Sequence, residues 1–209
     1  MVSDTLVIIP AYNEEKAISG VVSSIRKLYP EMDIVVVNDG SSDETVVKAE
    51  DAGAIVLSHS FNMGYGIALQ TGYKYAFRRG YRFVVQIDGD GQHDPTGIKT
   101  VLDRVKDGYA DIVLGSRFLS DDSYKPSLLR LTGIRFFRFL IRFLSGKVIT
   151  DPTTGFQAMN RNVLNVFIQD FFPVDYPDAD VVILLSGLGF KISEAPVLMR
   201  PNLGGKSMH

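Results

Sequence analysis

Short apolar runs rich in β-branched residues alternate with segments of helical periodicity over the first part of the chain. We predict strands over 5–10, 33–39, 54–58, 83–88 and 111–116. Helical patterns lie between them, over 14–28, 43–52, 64–79 and 95–106. Continuous apolar runs of this length favour parallel strands that are covered on both faces. The alternation therefore predicts an α/β fold, a mostly parallel and doubly wound sheet flanked by helices.

The length and composition fit one globular domain. The chain has 209 residues, of which 45% are hydrophobic and 22% are charged, enough for a sizeable core. We expect a single domain over 1–209, with a regular half at 1–117 and a less regular half at 118–209. A net charge of −2 gives no support for nucleic-acid binding. The absence of cysteine excludes disulfides and thiolate zinc sites.

The sequence shows no targeting segment that we can identify. It begins almost at once with a strand-like run, without the basic and small-residue regions of a signal peptide. No stretch reaches the roughly 18 uncharged apolar residues that a membrane span requires. We therefore expect a cytoplasmic protein.

Polar clusters follow four of the predicted strands. They are 10–14, Asp39, 88–90 and 116–117. In a doubly wound sheet, ligands bind beyond the carboxyl ends of the strands. The four clusters are therefore predicted to converge on one edge of the sheet and to form a binding site there.

The glycines match neither of two common phosphate-binding motifs. The first strand is followed by PAYNEE, which has no glycine, and the glycine after 64–66 is Gly72, too distant for G-x-G-x-x-G. Gly-Lys-Ser occurs at 205–207, far from any early strand, so it does not form a Walker loop. Nicotinamide-dependent and P-loop enzymes are therefore disfavoured.

Asp88, Gly89 and Asp90 directly follow an apolar strand. Two carboxylates this close repel each other unless a cation lies between them or one is protonated. Mg²⁺ and Mn²⁺ prefer oxygen ligands and often bind one or two carboxylates together with substrate phosphates. Gly89 would let the backbone approach a phosphate closely. The triplet therefore indicates either a metal–diphosphate site or an ordinary Asp-Gly turn.

Seven segments together resemble family 2 glycosyltransferases with a GT-A (Rossmann-like) fold. In order, they are VIIPAYNEE (7–15), VVVNDGSSDET (36–45), NMGYGIALQTGYKYA (62–76), VVQIDGDGQHDP (84–95), DIVLGSRF (111–118), DPTTGFQAMNR (151–161) and RPNLGGKS (200–207). Within the family, the sequence is most similar to the dolichol-phosphate mannosyltransferase-like branch, whose bacterial and archaeal members act on polyprenyl phosphates. Ordered agreement over nearly the whole chain is far more specific than any single motif.

This resemblance implies roles for individual residues. The nucleotide-binding positions would be Pro10, Tyr12, Asn13, Glu14, Asp39, Asn62, Gly64, Asp88 and Gly89, with Asp39 bonded to the base or ribose. Asp88 and Asp90 would form the DxD motif and bind Mg²⁺ or Mn²⁺ with the help of Gln92. Arg117, Arg200 and Lys206 would meet phosphates of the donor or the acceptor.

Two positions depart from the family pattern. Many relatives have a basic residue where Tyr65 stands, and many have Glu where Asp180 stands. An acceptor hydroxyl would need a carboxylate as general base. Asp151 and Asp180 are candidates for that role, and both are equally compatible with turn or cap positions. We interpret His93 as a structural residue.

The resemblance implies an inverting, metal-dependent enzyme. It would move a hexose from a UDP- or GDP-linked donor to a lipid acceptor, expected to be polyprenyl phosphate. A phosphate acceptor is already an anion and needs no general base. The alternatives are a glycosyltransferase with a saccharide acceptor, a nucleotidyltransferase and a non-catalytic nucleotide-sugar-binding protein.

The segment 128–147 is basic, aromatic and free of acidic residues. Arg135, Arg138 and Arg142 recur at helical spacing, and this pattern predicts an amphipathic helix near 128–146. Such a helix suits a membrane surface with anionic headgroups, which would place the protein on the inner face of the cell membrane. A core helix with snorkelling arginines or a contact with a second subunit are the alternatives, and the oligomeric state stays open.

Overall fold

The computed structural model describes residues 3–119, 137–144, 146–173, 175, 177 and 179–200. The strands are β1 Thr5–Ala11, β2 Asp33–Asn38, β3 Ile55–Ser58, β4 Phe83–Gln86, β5 Ile112–Ser116, β6 Gln157–Asn160 and β7 Ile192–Pro196. The helices are α1 Ile18–Leu28, α2 Thr45–Asp51, α3 Tyr65–Arg79, α4 Gly97–Lys106, α5 over 137–144, α6 Arg161–Phe167 and α7 Ala179–Gly187. All the strands and helices predicted before residue 117 are present.

The strands form one sheet in the order β3-β2-β1-β4-β6-β5-β7. β1 pairs in parallel with β2 and β4, β2 with β3, and β5 with β7. β6 runs antiparallel between β4 and β5. The predicted mostly parallel sheet is confirmed, and the antiparallel β6 joins the two halves of the chain.

Both faces of the sheet are covered, as the continuous apolar runs predicted. Alternate residues of β1 point to opposite faces: Leu6 and Ile8 pack with α3, whereas Val7 and Ile9 pack with α1 and α4. All four are fully buried. Since side chains alternate along a strand, only a sheet with two core layers buries consecutive residues in this way.

Helix α1 begins at Ile18, four residues after the predicted start. The preceding backbone is bonded to the loop that follows β2. The Asn13 N–H donates to Ser41 Oγ at 2.9 Å, and the Glu14 N–H donates to Thr45 Oγ1 at 2.8 Å. These two bonds hold the backbone at 13 and 14 against the loop after β2 and the first residue of α2. A turn follows, in which the Ala17 and Ile18 N–H groups donate to the Glu14 carbonyl oxygen at 3.0 and 2.9 Å, and it leads into α1.

Part of the segment 118–209 lies outside the residues that the structure describes. Lys206 and most of the predicted helix near 128–146 lie outside the described residues, whereas 137–144 are helical as predicted. Over the described part of the chain, every helix is too short or too polar to cross a bilayer.

Candidate functional site

Loops from the carboxyl ends of β1, β2 and β4 meet at one edge of the sheet, as the sequence predicted. The Ser42 N–H of the loop after β2 donates to Asn13 Oδ1 at 2.9 Å. The Tyr65 hydroxyl, at the start of α3, donates to Asp88 Oδ1 at 2.8 Å. These bonds connect the loops into one rim, which contains most of the predicted nucleotide-binding residues.

The loop after β1 has an uncommon backbone conformation. Asn13 has a φ of 55°, in the left-handed region that Asn tolerates better than most residues. Pro10 is buried within β1, and Tyr12 is partly buried just beyond it. The backbone geometry at Asn13 turns the chain away from the strand, so that Glu14 is buried against the rim.

Asp39 holds the start of α3. Its Oδ1 bonds to His59 Nδ1 at 2.7 Å and accepts the Met63 N–H at 2.9 Å, and its Oδ2 accepts the Gly64 N–H at 2.8 Å. Gly64 has a φ of 104°, which favours glycine. Asn62, just before them, is exposed. Asp39 therefore shapes the loop 62–64, and its predicted contact with a base or ribose stays a prediction.

Asp88 is enclosed from three sides. The Tyr65 hydroxyl donates to Oδ1, and His93 Nε2 lies 3.4 Å from Oδ2. The backbone of Gly155 covers the carboxylate so closely that a Cβ there would come within 2.3 Å of Oδ2. Asp88 is 8% exposed. Its position is therefore fixed by neighbours from both halves of the chain.

A buried polar network lies behind Asp88. The Gln86 amide nitrogen donates to the Tyr65 oxygen at 3.0 Å, and Gln86 Oε1 accepts from Gln157 Nε2 at 2.7 Å and from the Tyr73 hydroxyl. Burial first, and the charge on Asp88 second, hold the pKa of the Tyr65 phenol well above its usual value. Tyr65 is therefore a neutral donor at physiological pH.

Asp90 is more open than Asp88 and is bonded within its own loop. Its two oxygens accept the Gln92 N–H at 2.9 Å and the Gln92 amide nitrogen at 2.8 Å. Gly89 packs against β1, where a Cβ would lie 3.0 Å from the Pro10 carbonyl oxygen. The glycine between the two carboxylates therefore lets this loop lie directly on the first strand.

The pKa of Glu14 is raised by burial and by the negative charge of the rim. Burial, and then the charges of Asp90, Asp43 and Asp88, raise the pKa of Glu14 to about 7 from its ordinary 4.5. The neutral form of Glu14 is therefore favoured in the folded protein below about pH 7. Its contribution to stability is complete below about pH 4.5 and is lost as the pH rises through 7.

We expect the Glu14→Gln variant to be more stable than the wild type at pH 8, by up to about 3 kcal/mol, since one pKa unit corresponds to about 1.4 kcal/mol. The difference should shrink as the pH falls and vanish near pH 4. Urea unfolding in EDTA between pH 4 and 8 measures it, with the exposed Glu31→Gln as control. A difference that does not change with pH would contradict the raised pKa of Glu14.

Arg117 and Asp151 form a buried ion pair between the two halves of the chain. Arg117 Nε and one terminal nitrogen each lie 2.6 Å from an Asp151 oxygen, and the side chains are 4% and 0% exposed. Glu194 of β7 accepts the N–H groups of Thr150 and Asp151 at 2.8 and 2.9 Å. In this structure the two charged groups bind each other. The predicted roles of Arg117 at a phosphate and of Asp151 as a general base stay predictions.

Arg200 reaches the rim from the other end of the chain. Its N–H donates to the Gln92 carbonyl at 2.6 Å, and its guanidinium donates to Asp94 Oδ2 at 2.7 Å. A bridge between His93 and Met199 aligns the two segments. The structure thus places Arg200 next to the acidic loop, and its predicted contact with phosphates stays a prediction. Asp180 is exposed in the first turn of α7.

The acidic loop has the donor set of a Mg²⁺ or Mn²⁺ site. Among the residues described, no three His, Cys, Asp or Glu side chains are grouped to hold a metal. Asp88 and Asp90 supply two carboxylates, and Gln92 can add its amide oxygen because its amide nitrogen is bonded to Asp90. Such cations complete their shells with water and substrate phosphates. The charges of Asp90 and Asp88, which add to the effect of burial in raising the pKa of Glu14, are charges that a cation would neutralise.

Sequence reasoning missed several residues that organise this site. His59, Gln157 and Glu194 hold loops or the buried network, and no local pattern marks them. Gln86 could have been found, because it is a polar residue within an apolar strand, and a buried amide there requires partners.

Solved structures have the same fold. Glucosyl-3-phosphoglycerate synthase from Mycobacterium tuberculosis, solved in complex with Mn²⁺ and uridine-diphosphate-glucose, superposes with a TM-score of 0.71 at 22% identity, covering 97% of this chain and 72% of that one. The sheet and its acidic edge thus define a GT-A glycosyltransferase fold. The chain belongs to glycosyl transferase family 2, whose sequence profile matches residues 6–167. It is therefore a glycosyltransferase.

Relatives over nearly the full length confirm the branch that the motifs indicated. Polyprenol monophosphomannose synthase from Mycolicibacterium smegmatis is 32% identical over 204 residues, covering 92% of this chain and 76% of the relative. Dolichyl-phosphate hexose transferase from Haloferax volcanii is 32% identical over 201 residues, covering 96% and 85%. The resemblance to polyprenyl-phosphate glycosyltransferases is thus confirmed at the level of family and branch.

Proposed function

We propose that this protein transfers a hexose from a UDP- or GDP-linked donor to polyprenyl phosphate, with inversion at the anomeric carbon and with Mg²⁺ or Mn²⁺. The observation that carries the proposal is the placement of Asp88 and Asp90 at the rim of a family 2 sheet, beside the nucleotide-side loop of Glu14. The names of the relatives from M. smegmatis and H. volcanii support a polyprenyl or dolichyl phosphate acceptor.

The cation would be held by Asp88, Asp90 and Gln92. It would supply positive charge to the diphosphate of the leaving nucleotide. Arg200 lies next to this loop and contributes a second positive group. Its partner Asp94 is fixed by Thr96, whose N–H donates to the carboxylate at 2.9 Å. Donors held in place before the reaction stabilise developing charge most effectively.

The acceptor phosphate would act as the nucleophile without a general base. Its oxygen attacks the anomeric carbon from the face opposite the nucleotide. The new carbon–oxygen bond forms as the bond to the leaving diphosphate breaks, which inverts that carbon. This chemistry agrees with the geometry at Asp151, whose carboxylate is bonded to Arg117 in a buried pair.

The proposal is tested by incubating the protein with UDP- or GDP-hexoses, Mn²⁺ and polyprenyl phosphate. We expect lipid-linked hexose and a free nucleoside diphosphate from one donor. EDTA should stop the reaction and added Mn²⁺ should restore it. Release of pyrophosphate would indicate a nucleotidyltransferase. Transfer to a soluble saccharide or phosphoglyceric acid, with none to the lipid, would contradict the proposed acceptor.

We also propose that α5 lies on the inner surface of the cell membrane. Phe139 and Phe143 are 67% and 76% exposed, and their rings stack with centroids 6.2 Å apart. Arg142 is exposed beside them, whereas Arg138 donates to the Thr150 carbonyl. Exposed aromatic rings next to an exposed arginine suit the interface of an anionic bilayer.

We expect Phe143→Glu to weaken binding to phosphatidylglycerol-containing vesicles by at least about 5-fold, because it removes an interfacial ring and adds repulsive charge. Sedimentation with vesicles measures the bound fraction. Phe171→Glu is the matched control, since Phe171 is 60% exposed outside α5. Equal losses in both variants, or none in Phe143→Glu, would argue against α5 as the membrane contact.

A further inference from the structure

The hydrogen bonds of the buried network behind Asp88 all have their donors on the side away from Asp88, so that they lead from Gln157 through Gln86 and Tyr65 to Asp88. Gln86 Oε1 receives two donors, the Gln157 amide at 2.7 Å and the Tyr73 hydroxyl. The oxygen end of the Gln86 amide is thereby fixed, and its nitrogen end donates to the Tyr65 oxygen at 3.0 Å. The orientation of one amide thus follows from the donors that surround it.

This arrangement decides where the Tyr65 proton goes. A phenol has one O–H donor, and the Tyr65 oxygen already accepts from Gln86. Its proton is therefore directed to Asp88 Oδ1, at 2.8 Å. Tyr65, Tyr73 and Gln86 are all buried, so water does not compete freely for these bonds.

A phenol and a cation affect a carboxylate differently. A lysine or arginine at this place would orient Asp88 and also neutralise its charge. Tyr65 orients the same oxygen through a neutral hydrogen bond and adds no positive charge of its own. Partners that orient metal-binding side chains commonly change metal affinity by about 10- to 100-fold when they are removed.

We propose that Tyr65 is a positioning residue that fixes the Asp88 carboxylate and thereby sets the affinity of the acidic pair for the divalent cation. The inference rests on the proposed function, because it requires a cation at Asp88 and Asp90. The hydrogen bonds from Gln157 to Gln86 and from Gln86 to Tyr65 would thus contribute to cation binding at the rim, in addition to filling the core.

The test compares Tyr65→Phe with Tyr73→Phe. Both changes remove one hydroxyl from a buried residue of α3, and only the first removes a bond to Asp88. Isothermal titration of Mn²⁺ in the presence of a saturating nucleoside diphosphate gives the dissociation constant. We expect Tyr65→Phe to raise it by about 10-fold. Tyr73→Phe should change it by less than about 2-fold, because the Gln157 amide still donates to Gln86 Oε1 and keeps that amide in its orientation. Excess Mn²⁺ should restore most of the transfer activity of Tyr65→Phe.

Gln86→Met provides a second variant, which removes the hydrogen bond from Gln86 to the Tyr65 oxygen and keeps the bond from Tyr65 to Asp88 possible. We expect it to raise the Mn²⁺ dissociation constant in the same direction by a smaller factor, and its folding is checked by circular dichroism. Equal effects of Tyr65→Phe and Tyr73→Phe, or no effect of Tyr65→Phe, would overturn the inference while the metal-dependent function stands. A wild-type protein that does not bind Mn²⁺ would overturn both.

Discussion

Replacing Asp90 with Asn is expected to lower kcat/KM for sugar transfer by about 10³-fold or more, with little change in stability. The substitution removes one negative charge and keeps the shape of the side chain. The Asn oxygen can still accept the Gln92 N–H that Asp90 accepts at 2.9 Å. Loss of charge at the cation weakens stabilisation of the leaving diphosphate, where single groups commonly contribute 10²- to 10³-fold and a metal contributes more.

The control for Asp90→Asn removes a carboxylate away from the rim. Asp103 lies on α4 with its side chain about half exposed, and it pairs with Lys99 at 2.7 Å. Asp103→Asn should transfer sugar within about 2-fold of the wild type, because exposed pairs contribute little. If Asp90→Asn retained transfer within 10-fold of the wild type, the role of the acidic pair in metal binding would have to be abandoned.

Replacing Asp151 with Ala is expected to lower the free energy of unfolding by about 3–5 kcal/mol, because it removes the carboxylate that is paired with the buried Arg117 guanidinium. Three bonds from Arg117 to the Asp151 carboxylate, at 2.6, 2.6 and 3.1 Å, are lost together. Chemical denaturation measures the change. Asp103→Ala, which breaks the exposed pair with Lys99, should cost less than about 1 kcal/mol.

A double variant separates loss of charge from loss of packing. Arg117→Met with Asp151→Leu replaces the buried pair with apolar side chains of similar size, and such exchanges are often close to neutral. We expect it to be more stable than Asp151→Ala. If the two variants were equally destabilised, or if Asp151→Ala cost less than about 1 kcal/mol, the pair would not be the buried ionic contact described above.

The first half of the fold could be predicted from local sequence. The strands there are apolar runs buried on both faces, such as Leu6 to Ile9, and the regular spacing of helices between them requires parallel strands. β6 could not be predicted in the same way. It has four residues, and its antiparallel position depends on pairing Gln86 with Gln157, which are far apart in the sequence. Such pairings are set by the whole sheet.

In the candidate site, too, some residues could be identified from local sequence and some contacts could not. Asp88 and Asp90 could be identified because they directly follow a strand and match a family motif. The family motif predicts a phosphate contact for Arg117, which stays a prediction, whereas its pairing with Asp151 could not be foreseen, because the two residues are 34 positions apart. The function of Asp39 in holding the loop 62–64 was also missed, because a carboxylate that accepts backbone N–H groups has the same sequence pattern as one that binds a ligand.

The insertion of β6 has a consequence for synthesis on the ribosome. Among the strands that the structure describes, β5 pairs with β6 and β7 and with none that precedes it in the sequence. While the intervening 117–156 are being made, the apolar strand Ile112–Ser116 therefore has no neighbour in the sheet. An unpaired apolar edge is prone to aggregate. The emerging chain should thus depend on chaperones most during this interval, and slowing translation there should lower the soluble yield.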